Sequence, residues 1–454
     1  MIDDDAAGDA EQSNQFDPTA DGLDFYEALE AMLVRVDDAV VVGPRSSFGE
    51  IVVLADGGAG AGVRTPRGGI LLRPSDANPE RIVLDDELLL ASRRQMPTAD
   101  VGDRLPGSIV GVVDYLFGGF KVEVLQPPRV QAGGLPRTRL TPAGAEQLAV
   151  ATFNVENLHP GVEASKVEAL ARLIVQNMAS PDLVALEEIQ DATGPRDDGV
   201  IEARSTYDRL LAAIRAAGGP EYQIRQIDPE NNRDGGQPGG NIRVGFMLRT
   251  DRGLRFVDRG RADARTPTRV VPGPGGPELS LSPGRVEPTD PAWENSRKPL
   301  AGELELRGRK LFVVANHFIS KTGDGPLFGR YQPPLRPSET RRVRQAVIVR
   351  DFVARLLEAD ADASVVVLGD LNDFPFSETV TTLKGDRLRL LLETLPESER
   401  YGYVFEGNSE ALDHVLVSPG LARVPLEYAV MRVNAEFAVR ASDHDPQVAR
   451  FTLP

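Results

Sequence analysis

The stretch SVVVLGDLND (364–373) decides the fold of the larger part of this 454-residue chain. Its apolar run ends in a glycine and then in three polar side chains, Asp370, Asn372 and Asp373. A short, continuous apolar run is typical of a strand that is buried on both faces of a sheet. Polar groups at the end of such a strand are typical of a functional site on an α/β scaffold.

The same pattern recurs on both sides of this stretch. Further apolar runs are LAVATFNV (148–155), DLVALEE (182–188), NIRVGFMLR (241–249), KLFVVANHF (310–318), ALDHVLVS (411–418) and QVARFTL (447–453). Apolar residues at helical spacing lie between them, at residues 163–178, 203–217 and 338–359. This alternation predicts a mixed α/β domain over residues 148–454.

The residues before 148 have a different character. Short apolar runs broken by glycine and proline fill residues 34–130, and Phe117-Gly118-Gly119-Phe120 signals a hairpin. After a short helix at 23–34, these runs predict a small all-β barrel or sandwich within residues 23–130. Residues 1–22 contain seven acidic and no basic residues, which predicts a disordered acidic tail. Proline-rich residues 131–147 predict a linker.

The composition excludes several classes of protein. The chain has no cysteine, which excludes disulfides, thiolate nucleophiles and cysteine-bound metals. No stretch approaches the roughly 20 apolar residues that a membrane helix needs, and no signal peptide follows Met1. The 51 basic and 68 acidic residues give a net charge of −17. Such a charge repels polyanions, so an enzyme acting on phosphate esters would need local cations.

Six polar clusters end or interrupt the predicted strands and contain three of the four histidines. The candidate site residues in them are Asn154, Glu188, His317, Asp370, Asn372, Asp413, Asp443 and His444. Each one alone is more often a turn former, a helix cap or a satisfied core group. Their joint occurrence after apolar runs favours a metal site.

Phosphodiester hydrolysis needs a cation that neutralises the phosphoryl oxygens. Mg²⁺ takes hard oxygen ligands, and Glu188, Asp443 and the amide oxygen of Asn154 suit it; Mn²⁺ and Ca²⁺ are alternatives. Asp370 and Asn372 lie two residues apart, so on an extended segment they would face the same side.

Histidines supply the acid–base chemistry in this interpretation. His444 is the candidate general base or transition-state cation, because its ordinary pKa lies nearest neutrality. Asp413 would orient it through the other ring nitrogen. His317 would donate to a non-bridging oxygen or protonate the leaving group.

Taken together, the clusters resemble the endonuclease/exonuclease/phosphatase superfamily, which has the deoxyribonuclease-I-like fold. The resemblance covers residues 148–454 and rests on FNVENL (153–158), LEEIQD (186–191), NHF (316–318), GDLND (369–373), LDHVLVS (412–418) and SDHDP (442–446). SRKPL (296–300) and YGYVFEGNSEALDH (401–414) are similar to its secreted bacterial nuclease-like branch, whose members often carry an N-terminal oligonucleotide-binding-type barrel.

The resemblance implies a four-layer α/β sandwich of two mixed sheets, with the site at one edge. It places Asn154 and Glu188 at the first metal-binding positions and Asp413 beside the last histidine. It also implies an extracellular or cell-surface location. Two positions depart from the family pattern: Glu187 replaces the usual glutamine and would add negative charge to the site, and Asn241-Ile242-Arg243 stands where deoxyribonucleases have a glutamate that pairs with the first histidine.

The function predicted from these features is a divalent-metal-dependent nuclease that cleaves DNA, with RNA as a further substrate. A phosphomonoesterase or small-molecule phosphodiesterase on the same scaffold is the alternative, which the acidic charge and the long excursion at 260–299 favour. A non-catalytic binding module is the third. Arg297 and Lys321 are the predicted phosphate-binding residues, against the alternative of solvated surface cations. Nothing in the sequence indicates an obligate protein partner.

Overall fold

The computed structural model of the chain describes residues 2–3, 5, 8–91 and 95–453. Within these ranges, no helix combines the length and the apolar character that crossing a membrane requires. The N-terminal part contains β1 (Gly8–Asp9), α1 (Ala10–Ser13), α2 (Gly22–Glu27), β2 (Leu33–Gly43), β3 (Ile51–Leu54), β4 (Ile70–Leu71), β5 (Ile82–Asp85), α3 (Glu87–Ala91), β6 (Arg104–Leu116) and β7 (Gly119–Val124).

Residues 125–146 include most of the predicted linker and form no helix and no strand longer than a single bridge at Gln131. The C-terminal part then contains β8 (Gln147–Leu158), α4 (Ala164–Arg172), β9 (Leu183–Ile189), α5 (Arg204–Ala216), β10 (Tyr222–Gln226), β11 (Arg243–Arg249), β12 (Leu254–Phe256), β13 (Val270–Gly273), β14 (Gly276–Leu279), β15 (Gly284–Arg285), β16 (Leu300–Leu306), β17 (Arg309–His317), β18 (Tyr331–Gln332), α6 (Pro337–Ala359), β19 (Val365–Asp370), α7 (Glu378–Lys384), β20 (Arg389–Leu390), β21 (Tyr403–Phe405), β22 (Asn408–Glu410), β23 (Asp413–Val417), α8 (Pro419–Ala422), β24 (Leu426–Val430) and β25 (Gln447–Thr452).

Five N-terminal strands form a closed barrel in the order β2-β3-β5-β7-β6, and β6 returns to pair with β2. Strands β5 and β7 run parallel, whereas the other neighbours run antiparallel. Phe120, Val122 and Val124 on β7 face the barrel core, because alternate side chains of a strand point to the same side. The all-β N-terminal region is therefore confirmed, as a five-stranded barrel of the oligonucleotide-binding type rather than a sandwich.

The helix predicted at residues 23–34 is too long. Helix α2 ends at Glu27, Ala31 has a positive φ of 61°, and β2 begins at Leu33. A left-handed residue cannot continue a right-handed helix. After Ala31, Val36 faces the barrel core, and its burial there favours a strand over a continued helix.

The described part of the predicted disordered tail is structured, which corrects that prediction. Strand β1 pairs with β18, and Asp9 accepts two hydrogen bonds from the guanidinium of Arg330, at 2.8 and 2.7 Å. These partners lie more than 300 positions apart in the sequence, so no local pattern reveals them. Residues 1, 4, 6 and 7 of the tail lie outside the described residues.

Two mixed sheets form the centre of the C-terminal part. Their strand orders are β10-β11-β9-β8-β25-β24 and β12-β16-β17-β19-β23-β20, with β15 beside β16. Val366 and Leu368 of β19 face the core between the sheets, while Val365 and Val367 face the core under α6. This double burial explains the continuous apolar run of β19. Helices α4 and α5 cover the other sheet, so the predicted four-layer sandwich is confirmed.

The two parts of the chain share a small sheet. Strand β4 of the N-terminal part pairs in parallel with β22, which pairs with β21 in a hairpin. Nearby, the side-chain amide of Asn78 donates to Oδ1 of Asn408 at 2.7 Å, and Arg67 forms an ion pair of 2.6 Å with Glu436. Backbone pairing therefore joins the two parts of the chain. The predicted domain boundaries stay a prediction.

Candidate active site

The polar clusters meet where the strands of the two sheets end. Strands β8 and β9 are parallel neighbours in one sheet, and β17 and β19 are parallel neighbours in the other, so each pair ends at one edge. In strand register, Asp370 lies between His317 on β17 and Asp413 on β23. Pairing between strands therefore brings together residues that are far apart in the sequence.

Asp370 is the centre of the cluster. Its Oδ2 lies 3.5 Å from Nε2 of His317 and 3.9 Å from Nε2 of His444, and its Oδ1 accepts the backbone N–H of Asn372 at 2.8 Å. Burial, opposed by His444 and reinforced by Asp413, raises the pKa of Asp370 to about 7. A buried carboxyl with such a pKa can exchange a proton at neutral pH.

His444 forms a close pair with Asp413. Its Nδ1 lies 2.6 Å from Oδ2 of Asp413. Burial opposes the charge of the imidazolium, but the carboxylates of Asp413, Asp443 and Asp370 outweigh this effect and raise the pKa of His444 well above its usual value. The orienting role predicted for Asp413 matches this geometry.

His317 lies on the side of Asp370 that is opposite to Asp413. Its Nε2 is 3.9 Å from Oε1 of Glu188, and its Nδ1 is buried without a hydrogen-bond partner among the described residues. Burial, together with the positive charges of Arg297 and His444, lowers the pKa of His317 well below its usual value. His317 is therefore the neutral histidine of the pair. Asn241, at the position of the absent glutamate, donates instead to Asp191 at 3.0 Å.

Asn154 joins the first sheet to the second. Its amide nitrogen donates to Oε1 of Glu188 at 3.1 Å and to Oδ2 of Asp370 at 3.2 Å, and its oxygen accepts the backbone N–H of Glu156 at 3.0 Å. The amide oxygen predicted as a metal ligand is thus turned away from the carboxylates. In this arrangement Asn154 holds two carboxylates in place.

Asn372 also differs from the prediction. It has a positive φ of 52°, so Asp370 and Asn372 do not lie on one extended segment. Its amide nitrogen donates to the carbonyl of Phe318 at 3.0 Å and to Asp370 at 3.3 Å. Glu188 has a φ of 62°, a second non-glycine residue in the left-handed region. Such backbone strain is concentrated at functional sites, where the surrounding structure maintains it.

Several of these groups can hold a cation. Asp370, Asp413 and His444 present ligand atoms that all lie within 4.8 Å of one another. Glu188 joins this group through its contacts with Asn154 and His317, and its side chain is 19% exposed. Asp443, next to His444, is also partly exposed. The set is rich in carboxylate oxygens, which fits a hard divalent cation.

The two predicted phosphate-binding residues lie in different environments. Arg297 is only 4% exposed and donates to the carbonyl of Phe318 at 2.6 Å, so it is a buried charge near Glu188 and Asp370 rather than a surface cation. Lys321 is more accessible. Its Nζ lies 3.2 Å from a carboxylate oxygen of Glu410 and 4.3 Å from the ring centre of Phe374.

Sequence reasoning assigned no role to Tyr403, which the structure places in the site. Its ring centre lies 4.7 Å from that of His444, and its hydroxyl donates to Oδ2 of Asp443 at 3.3 Å. Burial and the charge of Asp443 raise the pKa of the Tyr403 phenol well above its usual value, so it remains a donor. The only signal in the sequence was its position in the stretch 401–414.

For the Mg²⁺-dependent phosphodiesterase activity that the sequence predicts, replacing Tyr403 by phenylalanine should lower kcat/KM by about 10-fold, the usual scale for losing a hydrogen bond to a charged group. Because Asp443 loses its donor, the concentration of Mg²⁺ needed for half-maximal activity should also rise. Initial rates across a Mg²⁺ titration measure both effects. Tyr331→Phe, which changes a half-exposed tyrosine on β18, is the control. Unchanged Mg²⁺ dependence would show that Tyr403 does not hold Asp443.

Glu187 was expected to add negative charge to the site. It is fully buried, and its Oε1 accepts the hydroxyl of Thr152 at 2.7 Å. Burial, with Asp413 and Asp370 nearby, raises the pKa of Glu187 well above its usual value. A protonated carboxyl has nearly the shape and polarity of the glutamine that the family pattern has there, and burial favours this form of Glu187 over the charged one.

Glu187→Gln should raise the melting temperature of the metal-free protein more at pH 8 than at pH 5. In the folded state Glu187 keeps its proton, whereas in the unfolded chain it ionises above about pH 4.3. Ionisation therefore favours unfolding increasingly as the pH rises towards the folded pKa, and glutamine removes this loss. Melting curves in EDTA measure it, with Glu168→Gln on exposed α4 as the control. Equal shifts at both pH values would contradict the protonated state.

Comparison with known proteins assigns both parts of the chain to sequence families. A sequence model of the endonuclease/exonuclease/phosphatase family matches residues 151–444, which are 294 of the 454 residues. A model described as a domain of unknown function matches residues 1–132. No curated protein matches the chain at a significant level.

Solved structures with a similar fold share little sequence with the chain. Truncated TDP2 from Caenorhabditis elegans is 16% identical, with 67% of this chain and 98% of that chain covered and a TM-score of 0.43. An endonuclease/exonuclease/phosphatase family protein from Bacteroides thetaiotaomicron is 16% identical, with 68% and 95% covered and a TM-score of 0.42. The catalytic domain of human Nocturnin with bound sulfate is 14% identical, with 68% and 95% covered and a TM-score of 0.41.

Proposed function

Because the chain belongs to the endonuclease/exonuclease/phosphatase family, a family of phosphoesterases, we propose that it is a divalent-metal-dependent nuclease. The observation that carries the proposal is the convergence of Glu188, Asp370 and His444. Asp370 lies within 3.9 Å of both histidines, and Glu188 lies 3.9 Å from His317. These residues come from four different strand ends, and a structural role alone does not require such a concentration of buried charge.

The donor set supports a role for Mg²⁺, with Mn²⁺ and Ca²⁺ as alternatives. We assign Glu188 and Asp443 as the protein ligands, because both are carboxylates and both are partly exposed, whereas Asp413 and His444 are engaged with each other. A bound divalent cation supplies neutralisation of the phosphoryl oxygens. Asn154 and Tyr403 keep these two carboxylates in position.

The remaining residues supply proton transfer and charge stabilisation. Asp370, with a pKa of about 7, accepts a proton from the attacking water as the water oxygen bonds to phosphorus and the ester bond breaks. His444, held as an imidazolium by Asp413, stabilises the negative charge that develops on the phosphoryl group. Neutral His317 donates a hydrogen bond to a non-bridging oxygen.

Nucleic acid is the proposed substrate class. Support comes from the N-terminal barrel, whose architecture is that of oligonucleotide-binding folds. A phosphomonoesterase or small-molecule phosphodiesterase is the second candidate, favoured by the net charge of −17. The excursion that was expected to enclose a small substrate instead places its β13–β14 hairpin against α6, with Leu279 in the core under that helix.

The deciding experiment compares the cleavage of plasmid DNA, an RNA oligonucleotide and a chromogenic phosphomonoester by one preparation. Each assay contains Mg²⁺, Mn²⁺, Ca²⁺ or EDTA. We expect plasmid nicking with at least one cation and none in EDTA, since the carboxylates alone repel the phosphate. No cleavage of either nucleic acid with any cation would overturn the proposal. Turnover of the monoester alone would establish the second candidate.

An extracellular or cell-surface location, which the sequence resemblance implied, is also a proposal. The absence of cysteine is compatible with an oxidising compartment, since no thiol is there to be oxidised. Detection of the protein in the culture medium of its native host, compared with a cytosolic marker, tests this location. Retention with the cytosolic marker would contradict it.

A further inference from the structure

A cavity of about 410 Å³ lies between the N-terminal part and the catalytic part of the chain. One wall comes from Leu71 to Pro74, at the end of β4 and directly after it. The opposite wall comes from the loop Phe374–Phe376 and from residues 409–411. Its volume is within the range of small-molecule sites, about 300–1,000 Å³.

The cavity adjoins the active site. Phe374 follows Asn372 by two residues, and Ala411 precedes Asp413 by two residues. Lys321, four residues after His317, lies beside the cavity, because its Nζ lies 4.3 Å from the ring centre of Phe374 and 3.2 Å from Glu410, and both of these residues line the cavity. The chain segments that line the cavity therefore lead directly into the segments that carry Asn372 and Asp413.

The lining suits a flat and uncharged group. Phe374 and Phe376 are stacked with ring centres 5.3 Å apart and an angle of 24° between the rings, and leucine and proline residues supply other walls. The lining cations already have partners: Arg73 pairs with Asp76 at 2.7 Å, Lys384 pairs with Glu393 at 2.8 Å, and Arg400 donates to the backbone carbonyls of Leu395 and Glu393 at 2.9 and 3.0 Å. A phosphate would have to break such pairs, whereas a nucleobase stacks on aromatic and apolar walls without needing a charge.

Backbone pairing holds the N-terminal wall in place. Leu71 on β4 faces Ser409 on β22 in register, and the N–H of Leu72 donates to the carbonyl of Ser409 at 3.0 Å. Asn78 adds its hydrogen bond to Asn408. The N-terminal part is therefore fixed against the segment that leads to Asp413.

We propose that this cavity binds the base of a nucleotide close to the scissile phosphate, and that the N-terminal part thus completes the substrate site. This inference rests on the proposed nuclease function. It assigns to the N-terminal part a role in substrate recognition through residues outside its barrel strands.

The test uses single-stranded oligonucleotides of one sequence in which an abasic nucleotide replaces each position in turn. The wild-type chain should show one position, near the cleaved bond, where loss of the base lowers kcat/KM by about 5-fold to 100-fold, the usual range for one base stacked on an aromatic side chain. In Phe376→Ala and in Leu72→Ala, the intact and abasic substrates should be cleaved at nearly the same rate. A folding defect would lower both rates together and leave their ratio unchanged.

Phe16→Ala and Leu33→Ala are the matched controls, because both residues are exposed on the N-terminal part and line no part of this cavity. They should retain the wild-type ratio. If both cavity variants retain it as well, or if no abasic position matters in the wild type, the inference is overturned while the nuclease function stands. If the wild type nicks plasmid DNA but cleaves no single-stranded oligonucleotide, the inference alone is overturned, and if it cleaves no nucleic acid at all, the proposed function itself fails.

Discussion

Asp370→Asn should lower kcat for nucleic acid by about 10²-fold or more, the usual scale for removing a group that transfers a proton or stabilises the transition state. Asparagine preserves the shape of the side chain and its acceptor for the N–H of Asn372. It removes the negative charge between the two histidines and the capacity to accept a proton from water. Initial rates at saturating substrate and Mg²⁺ measure the loss.

Asp386→Asn, at an exposed position after α7, is the control for this variant and should retain wild-type kcat. Thermal melting of both variants checks that each is folded. Wild-type activity of Asp370→Asn would place the hydrolysis elsewhere or in a contaminating enzyme. The Asp370→Asn preparation also measures how much plasmid cleavage a contaminating enzyme contributes.

Gly369→Ala should lower the free energy of unfolding by about 3 kcal/mol or more, from backbone strain and steric overlap combined. Gly369 has a φ of +129°, and a Cβ there would lie 2.0 Å from the carbonyl oxygen of Asn316. That oxygen belongs to strand β17, which pairs with β16 on one side and with β19 on the other. This pairing prevents the backbone of β17 from moving away from the added Cβ. Denaturation by urea measures the change.

Gly253→Ala is the control that separates the cost of backbone strain from the cost of steric overlap. Gly253 also has a positive φ, +83°, but a Cβ there would meet no atom within 4 Å. Its cost should be about 1–2 kcal/mol, that of a left-handed conformation alone. Equal losses in the two variants would show that β17 does yield, and that the close approach of Gly369 is not what sets the position of Asp370.

Sequence patterns were most informative where burial is complete. The continuous apolar run of β19 indicated burial on both faces, because only such a strand needs apolar residues at every position. The motifs also indicated the pairing of His444 with Asp413. The first inference depends on a property that neighbouring residues in the chain share, and the second depends on the resemblance of two separate motifs to known sequences.

Patterns failed where the deciding contact was remote or the backbone left its usual region. Asn372 was expected to lie beside Asp370 on an extended segment, but its positive φ turns it to the carbonyl of Phe318. Arg297 was predicted to bind phosphate, with a solvated surface cation as the alternative, and the sequence did not show that folding buries it beside the acidic cluster. The acidic tail pairs with Arg330, which only tertiary packing brings near.

The sequence alone determined the family, the layered α/β architecture, the all-β character of the N-terminal part and the identity of the polar groups at the strand ends. The all-β and mixed α/β characters follow from periodicity, which is a local property of the chain, whereas the family and its layered architecture follow from the resemblance of the motifs to known sequences. Only the tertiary structure decided the protonation of Glu187, the place of Tyr403 over His444 and the cavity between β4 and Phe376. Each depends on burial or on contacts between segments that strand pairing joins across hundreds of residues, and local sequence does not encode those distances.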